Sequence, residues 1–211
     1  MEIDIYADVV CPWCYIGKSR LEQALARYDG DVTVRYRPFQ LDPSPVPAPV
    51  PLVEAMAAKF GDADRARQMF AHVTEVAAGD GLRLDFDRAV AANTFDAHRL
   101  ISYATDQGRG SDMVDALYRA YFTGGVDIGS RDALATLAGE VGLDAADVRR
   151  FLDSDERSAQ LSAELAAARE LGVTSVPTFV LAGRYAVTGA QEAETLLAAL
   201  AEVEQRESAA R

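Results

Sequence analysis

The chain has two cysteines in 211 residues, and they stand close together, in Cys11-Pro12-Trp13-Cys14. Two thiols at this spacing can interconvert as a dithiol and a disulfide. An alternating apolar run (Ile3, Ile5, Ala7, Val9) precedes the pair and predicts a strand, and a helical pattern follows it. Cys11 is therefore expected at the first turn of a helix, where unpaired backbone N–H groups and the helix dipole favour negative charge. The thiolate is the reacting form, so Cys11 is the candidate nucleophile. Cys14 falls one turn further on, within reach to resolve a mixed disulfide. Pro12 has no N–H to leave unpaired and presets the first helical turn. Trp13, the single tryptophan, is expected to stay partly exposed and to offer substrate an apolar face. A structural zinc site needs four ligands at short spacing. The two histidines, His72 and His98, lie far from the cysteines and from each other in sequence, so no metal site is expected.

The flanking elements must hold this pair in place. Residues 2–7 alternate as a strand, and residues 13–28 carry Ile16, Leu21, Ala24, Leu25 and Tyr28 at helical spacing. Val32, Val34 and Tyr36 alternate as a second strand, ended by Pro38. Five of the eight prolines fall between Asp42 and Pro51. Repeated proline forbids helix and favours extended backbone, so residues 43–51 read as a stiff connector. Helical stripes then run from 52 to 171, among them Ala66, Met69, Phe70, Val73 and Ala77, with stops at Gly142 and Gly172 and an N-cap at Asp144. Thr178–Leu181 and Tyr185–Val187 read as a hairpin. A last helix carries Leu196, Leu200 and Val203, and the polar tail after Glu204 is expected to fray.

The order is thus strand–helix–strand, a long helical stretch, then strand–strand–helix. The first unit is a right-handed parallel crossover, and the closing hairpin completes a small sheet. The expectation is an α/β chain with the thioredoxin arrangement: residues 1–42 and 172–205 form one discontinuous domain, and 52–171 form a large inserted helical subdomain.

Composition narrows the function classes. Hydrophobic residues make up 49% and charged residues 26%, ordinary for a soluble globular chain. The formal charge of −12 argues against nucleic acid or an anionic membrane as partner. No apolar run is long enough to span a bilayer, and the start has neither a basic nor a long apolar segment of the secretory kind. The expected location is cytoplasmic, where a Cys-x-x-Cys pair is more often catalytic than structural.

Several motifs in order along the chain carry a family resemblance: Cys11-Pro-Trp-Cys-Tyr-Ile-Gly-Lys18, Pro38-Phe39-Gln40-Leu41, Asn93-Thr94, Ala97-His98-Arg99-Leu100, Ala120-Tyr121-Phe122, Gly172-Val173-Thr-Ser-Val-Pro177-Thr-Phe179 and Gly189-Ala190-Gln191. Together they resemble the DsbA-like thioredoxin superfamily, and within it the FrnE-type branch of cytoplasmic thiol oxidoreductases. The resemblance implies dithiol–disulfide exchange or isomerisation on thiol or disulfide protein substrates. It implies no tightly bound cofactor, with glutathione as a redox partner, and it leaves a homodimer open. By position, Cys11 is the nucleophile, Cys14 the resolving thiol and Pro177 a cis-proline. The backbone of Val176 would then pair with an extended substrate segment. Asn93 and His98 are carried over as cleft residues. Some members of this branch have a second cysteine pair, which this chain lacks. The same superfamily contains 2-hydroxychromene-2-carboxylate isomerases and kappa-class glutathione transferases. These typically carry Ser where this chain has Cys11, and they define the alternative: a glutathione-dependent small-molecule isomerase or transferase. A holdase that works without either thiol is the non-enzymatic rival.

Overall fold

Strand β1 (Glu2–Ala7) lies inside a four-stranded sheet of order β2-β1-β3-β4. It pairs parallel with β2 (Thr33–Pro38) and antiparallel with β3 (Thr178–Leu181), which pairs in turn with β4 (Tyr185–Thr188). Its central place explains why Ile3 and Ile5 are buried. The β3–β4 turn uses two successive left-handed residues, Ala182 (φ 52°) and Gly183 (φ 67°). That is the backbone a tight hairpin needs to match strand twist. This α/β sheet and its helices make the thioredoxin arrangement. The computed structural model describes residues 1–46 and 48–209; Pro47 of the proline-rich connector and the last two residues lie outside the described residues.

The chain packs as two units, one formed by Met1–Phe39 with Glu164–Arg211 and the other by Gln40–Ala163. The first holds the sheet, α1 (Pro12–Leu25) and α9 (Ala193–Ala209). The second holds α2 (Leu52–Phe60), α3 (Ala63–Gly79), α4 (Phe95–Asp106), α5 (Gly110–Arg119), a π-helical turn (Ala120–Gly124), α6 (Arg131–Glu140) and α7 (Ala145–Asp153). The sequence pattern sets the return boundary after residue 171, whereas the packing sets it inside α8 (Ser158–Glu170), at 163/164. Ala168, on the late part of α8, packs with Tyr6, Phe39 and Val173, so this half of the helix belongs to the sheet's core.

Two expectations are corrected. The stretch from 52 to 171 is not helical throughout: residues 80–94 leave the helix after Gly79, with Gly81 at φ 74°. Apolar pairing holds this non-helical stretch, since Phe86 stacks on Phe70 (centroids 4.3 Å apart) and meets Phe122 edge-on. The tail does not fray at Glu204, because α9 runs to Ala209. Arg206 lies over the Tyr185 ring, and Glu207 accepts from the Tyr185 hydroxyl and pairs with Arg184. Those contacts tie the last turns of α9 to β4.

Within the second unit, Asp144 accepts from the Asp147 amide and caps α7, as its position predicts. The end of α7 is held by Arg99 of α4, whose side chain is buried. Its guanidinium donates to the carbonyls of Phe151, Leu152, Ser154 and Glu156, pairs with Asp96, and lies 4.9 Å from the centre of the Phe151 ring. These carbonyls belong to the last turn of α7 and the loop beyond, and that of Phe151 also accepts from the Ser154 amide and hydroxyl. A cation also suits the negative end of the helix.

Candidate active site

Cys11 is the N-cap of α1, in extended backbone (φ −90°, ψ 112°), and Pro12 opens the helix. The Cys11 carbonyl accepts from the amides of Cys14 (3.1 Å) and Tyr15 (3.3 Å), while its own amide donates to the Asp8 carbonyl at 3.0 Å. β1 and the short Asp8–Val10 link therefore deliver the sulfur to the positive end of a helix. Both thiols are free. Cys11 is 5% exposed and Cys14 1%, and Trp13 between them is 37% exposed. The nucleophile candidate is barely open, its partner is enclosed, and the apolar ring beside them faces solvent.

The second wall of the site is the segment before β3. The Val176–Pro177 bond is cis. The Cys11 thiol donates to the Val176 carbonyl at 3.9 Å, so Cys11 and Val176, distant in sequence, meet. Two further features brace this segment. The Gly189 amide donates to the Pro177 carbonyl at 2.8 Å. On the other side Gly17 of α1 leaves no room for a side chain: a Cβ there would sit 2.8 Å from Pro177 Cγ and 3.2 Å from Phe179 Cζ. A glycine inside a helix costs stability, and here it allows close approach of α1 to the proline segment.

The two sulfurs differ in their surroundings. Burial pushes the Cys14 thiol well up, the adjacent Cys11 adds to this, and the Asp8 carboxylate adds further, against a backbone hydrogen bond from Asp8 that lowers it. Cys14 is thus held as the thiol until its proton is removed. The Asp8 side chain is itself buried. A raised thiol pKa in the fold means that the unfolded chain gives up this proton first. Above the ordinary value of 9.0 the folded state binds more protons than the unfolded state, so the stability due to this group is lost as pH rises, at a limiting slope of about 1.4 kcal/mol per pH unit. The reduced protein should therefore lose more stability between pH 7 and 10 than its Cys14→Ala variant does. Denaturant midpoints of both at the two pH values test this, and equal losses would refute it.

Cys11, Pro12, Trp13, Cys14, Val176 and Pro177 all belong to the first unit. Asn93 and His98 belong to the second. Asn93 Nδ2 donates to the carbonyls of Pro43 and Ser44, and its Oδ1 accepts from Gln40 Nε2 and the Phe95 amide. Gln40 also reaches Thr94 Oγ1. The Gln40 and Asn93-Thr94 motifs, far apart in sequence, are one hydrogen-bonded knot between the start of the connector and the start of α4. His98 is buried on α4. Asp8 is a site feature that the sequence reading missed, and Gly17 and the 189–191 loop stood in it as motif residues without a role. The signals available were a charged residue in an apolar run and a glycine within a helical pattern.

Comparison with known proteins places the chain as a whole in a family. A family model described as a DSBA-like thioredoxin domain matches residues 2–201. The crystal structure of a probable DsbA oxidoreductase from Streptomyces coelicolor is 36% identical, with a TM-score of 0.88 over 96% of this chain and 89% of that one. The uncharacterized protein YwbO of Bacillus subtilis is 30% identical over 183 residues, 86% of each chain. A 2-hydroxychromene-2-carboxylate isomerase from Sphingobium xenophagum is 27% identical over 180 residues, 83% of this chain and 86% of that one.

Proposed function

The chain belongs to the DSBA-like thioredoxin family, and from that membership we propose that it is a protein thiol–disulfide oxidoreductase working through Cys11 and Cys14. The observation that carries the reading is the meeting of the Cys11 thiol with the Val176 carbonyl at 3.9 Å, with a second thiol one helical turn away. A substrate segment lying along Val176 would bring its disulfide to Cys11.

In the reducing direction the Cys11 thiolate attacks one substrate sulfur. The substrate S–S bond breaks, a Cys11–substrate disulfide forms, and the leaving thiolate takes a proton. Cys14 then gives up its proton and attacks the Cys11 sulfur. The second substrate thiol leaves, and the enzyme holds the Cys11–Cys14 disulfide. The substrate has gained two electrons and the enzyme has lost them. The proton that Cys14 releases goes to the leaving substrate thiolate. The reverse sequence oxidises a substrate dithiol. Pro12 and Trp13 shape the approach, and Pro177 braces the segment that receives the substrate. Glutathione is the proposed small-molecule redox partner, and the setting is the cytoplasm, as for FrnE-type members. No helix among the described residues is long and apolar enough to cross a membrane.

The likeness to a 2-hydroxychromene-2-carboxylate isomerase supports a second reading, in which Cys11 works on a small molecule with bound glutathione. One experiment separates the two. The purified protein is equilibrated across glutathione redox buffers and followed by Trp13 fluorescence and by mass after thiol trapping. A reversible two-electron transition between dithiol and Cys11–Cys14 disulfide is expected. A stable glutathione adduct with no intramolecular disulfide would favour the isomerase.

A further inference from the structure

Arg20 lies on α1, beyond Gly17, and only 10% of its side chain is exposed. Burying an arginine is costly unless its charge and donors are satisfied. Nη1 of Arg20 donates to the Ala190 carbonyl at 2.7 Å and lies 2.9 Å from Glu192 Oε1. Ala190 follows Gly189, whose amide holds the Pro177 carbonyl. The Ala190 Cα also lies 3.5 Å from where a Cβ on Gly17 would stand. These contacts close a ring. It runs from Arg20 to Ala190, through Gly189 to Pro177 and Val176, across to the Cys11 thiol, and back along α1. The 189–191 loop is thus clamped to the same helix that carries the dithiol.

We propose that Arg20 is a positioning residue for the disulfide substrate: by holding Ala190 on α1 it fixes the Val176–Pro177 segment against Cys11. A peptide disulfide must meet the sulfur and the Val176 backbone in one pose, so it depends on this clamp. A small alkylating reagent needs the sulfur alone. The inference rests on the oxidoreductase reading, and the assay separates their failures.

The test uses the full chain and two readouts, exchange with a disulfide-bonded peptide and alkylation of reduced Cys11 by iodoacetamide followed by mass. Arg20→Met should lower kcat/KM for the peptide by about tenfold, chiefly through KM, while the alkylation rate stays within about twofold. Arg20→Lys, which keeps a cationic donor, should recover most of the loss. Glu192→Gln removes the ion pair but leaves the carbonyl bond, and should stay within about twofold of the parent protein. Peptide exchange unchanged in Arg20→Met would overturn the inference. So would equal losses in peptide exchange and alkylation, which would mark general disorder, or a loss in Glu192→Gln as large as that in Arg20→Met. A parent protein that exchanges no disulfide at all would instead remove the oxidoreductase reading, and this inference with it.

Discussion

Replacing Cys11 by Ser should take disulfide exchange to the uncatalysed background, a loss of about 10³-fold or more. A hydroxyl at the N-cap keeps the helix start, since Ser is a good cap, but it offers no sulfur to form the mixed disulfide. The fold should survive and the chemistry should not. Cys14→Ser behaves differently. Its Cys11 can still attack, but nothing inside the protein resolves the product. Covalent protein–substrate adducts should therefore accumulate, visible on non-reducing gels and released by dithiothreitol. The pair of variants tests the order of events as well as the identity of the residues. Undiminished exchange by Cys11→Ser, or adducts formed through Cys14 in that variant, would reverse the assignment.

The second large effect lies away from the dithiol. Arg99→Met should destabilise the Gln40–Ala163 unit by about 3–5 kcal/mol. Methionine fills much of the space but leaves the carbonyls of Phe151, Leu152, Ser154 and Glu156 without this donor, and removes a cation from Asp96. Asp96 keeps Arg131 as a partner, which places the loss chiefly on the carbonyls. Arg99→Lys should recover little, because one ammonium cannot reproduce a planar fork that serves four carbonyls and a carboxylate. Chemical denaturation followed by circular dichroism measures this; a change below about 1 kcal/mol would show that water replaces the guanidinium at no cost.

What could be read from the sequence was what depends on neighbours in the chain. β1, the dithiol, the start of α1 and the β3–β4 hairpin follow from alternation, from Pro12 after Cys11, and from Ala182-Gly183 between two apolar runs. Asp144 as a cap is equally local. The site's second wall was only partly visible. Pro177 came from a likeness in order and position, whereas Gly17, which makes room for it on α1, acts across 160 residues of chain and leaves no periodic trace, and Gly189 holds its carbonyl from beyond the hairpin. The same holds for Gln40 and Asn93, whose bond spans 53 positions. Each reads alone as an ordinary polar residue, and only the folded chain shows them to be one knot. The helical extent past Glu204 was missed for a related reason: Arg206 and Glu207 look like a polar tail until Tyr185 is found beneath them.

The split of the sheet between two stretches of chain affects how the protein must be made. β1, α1 and β2 leave the ribosome early, but the strand that pairs with the other side of β1 is translated only after the whole Gln40–Ala163 unit. During that interval the two thiols are attached to an incomplete sheet, without the Val176 carbonyl that meets Cys11. A nascent chain at this stage carries both thiols before β3 has been made. Speed of elongation through the helical unit, and the thiols present around the ribosome, therefore bear on how much of the product reaches its working form.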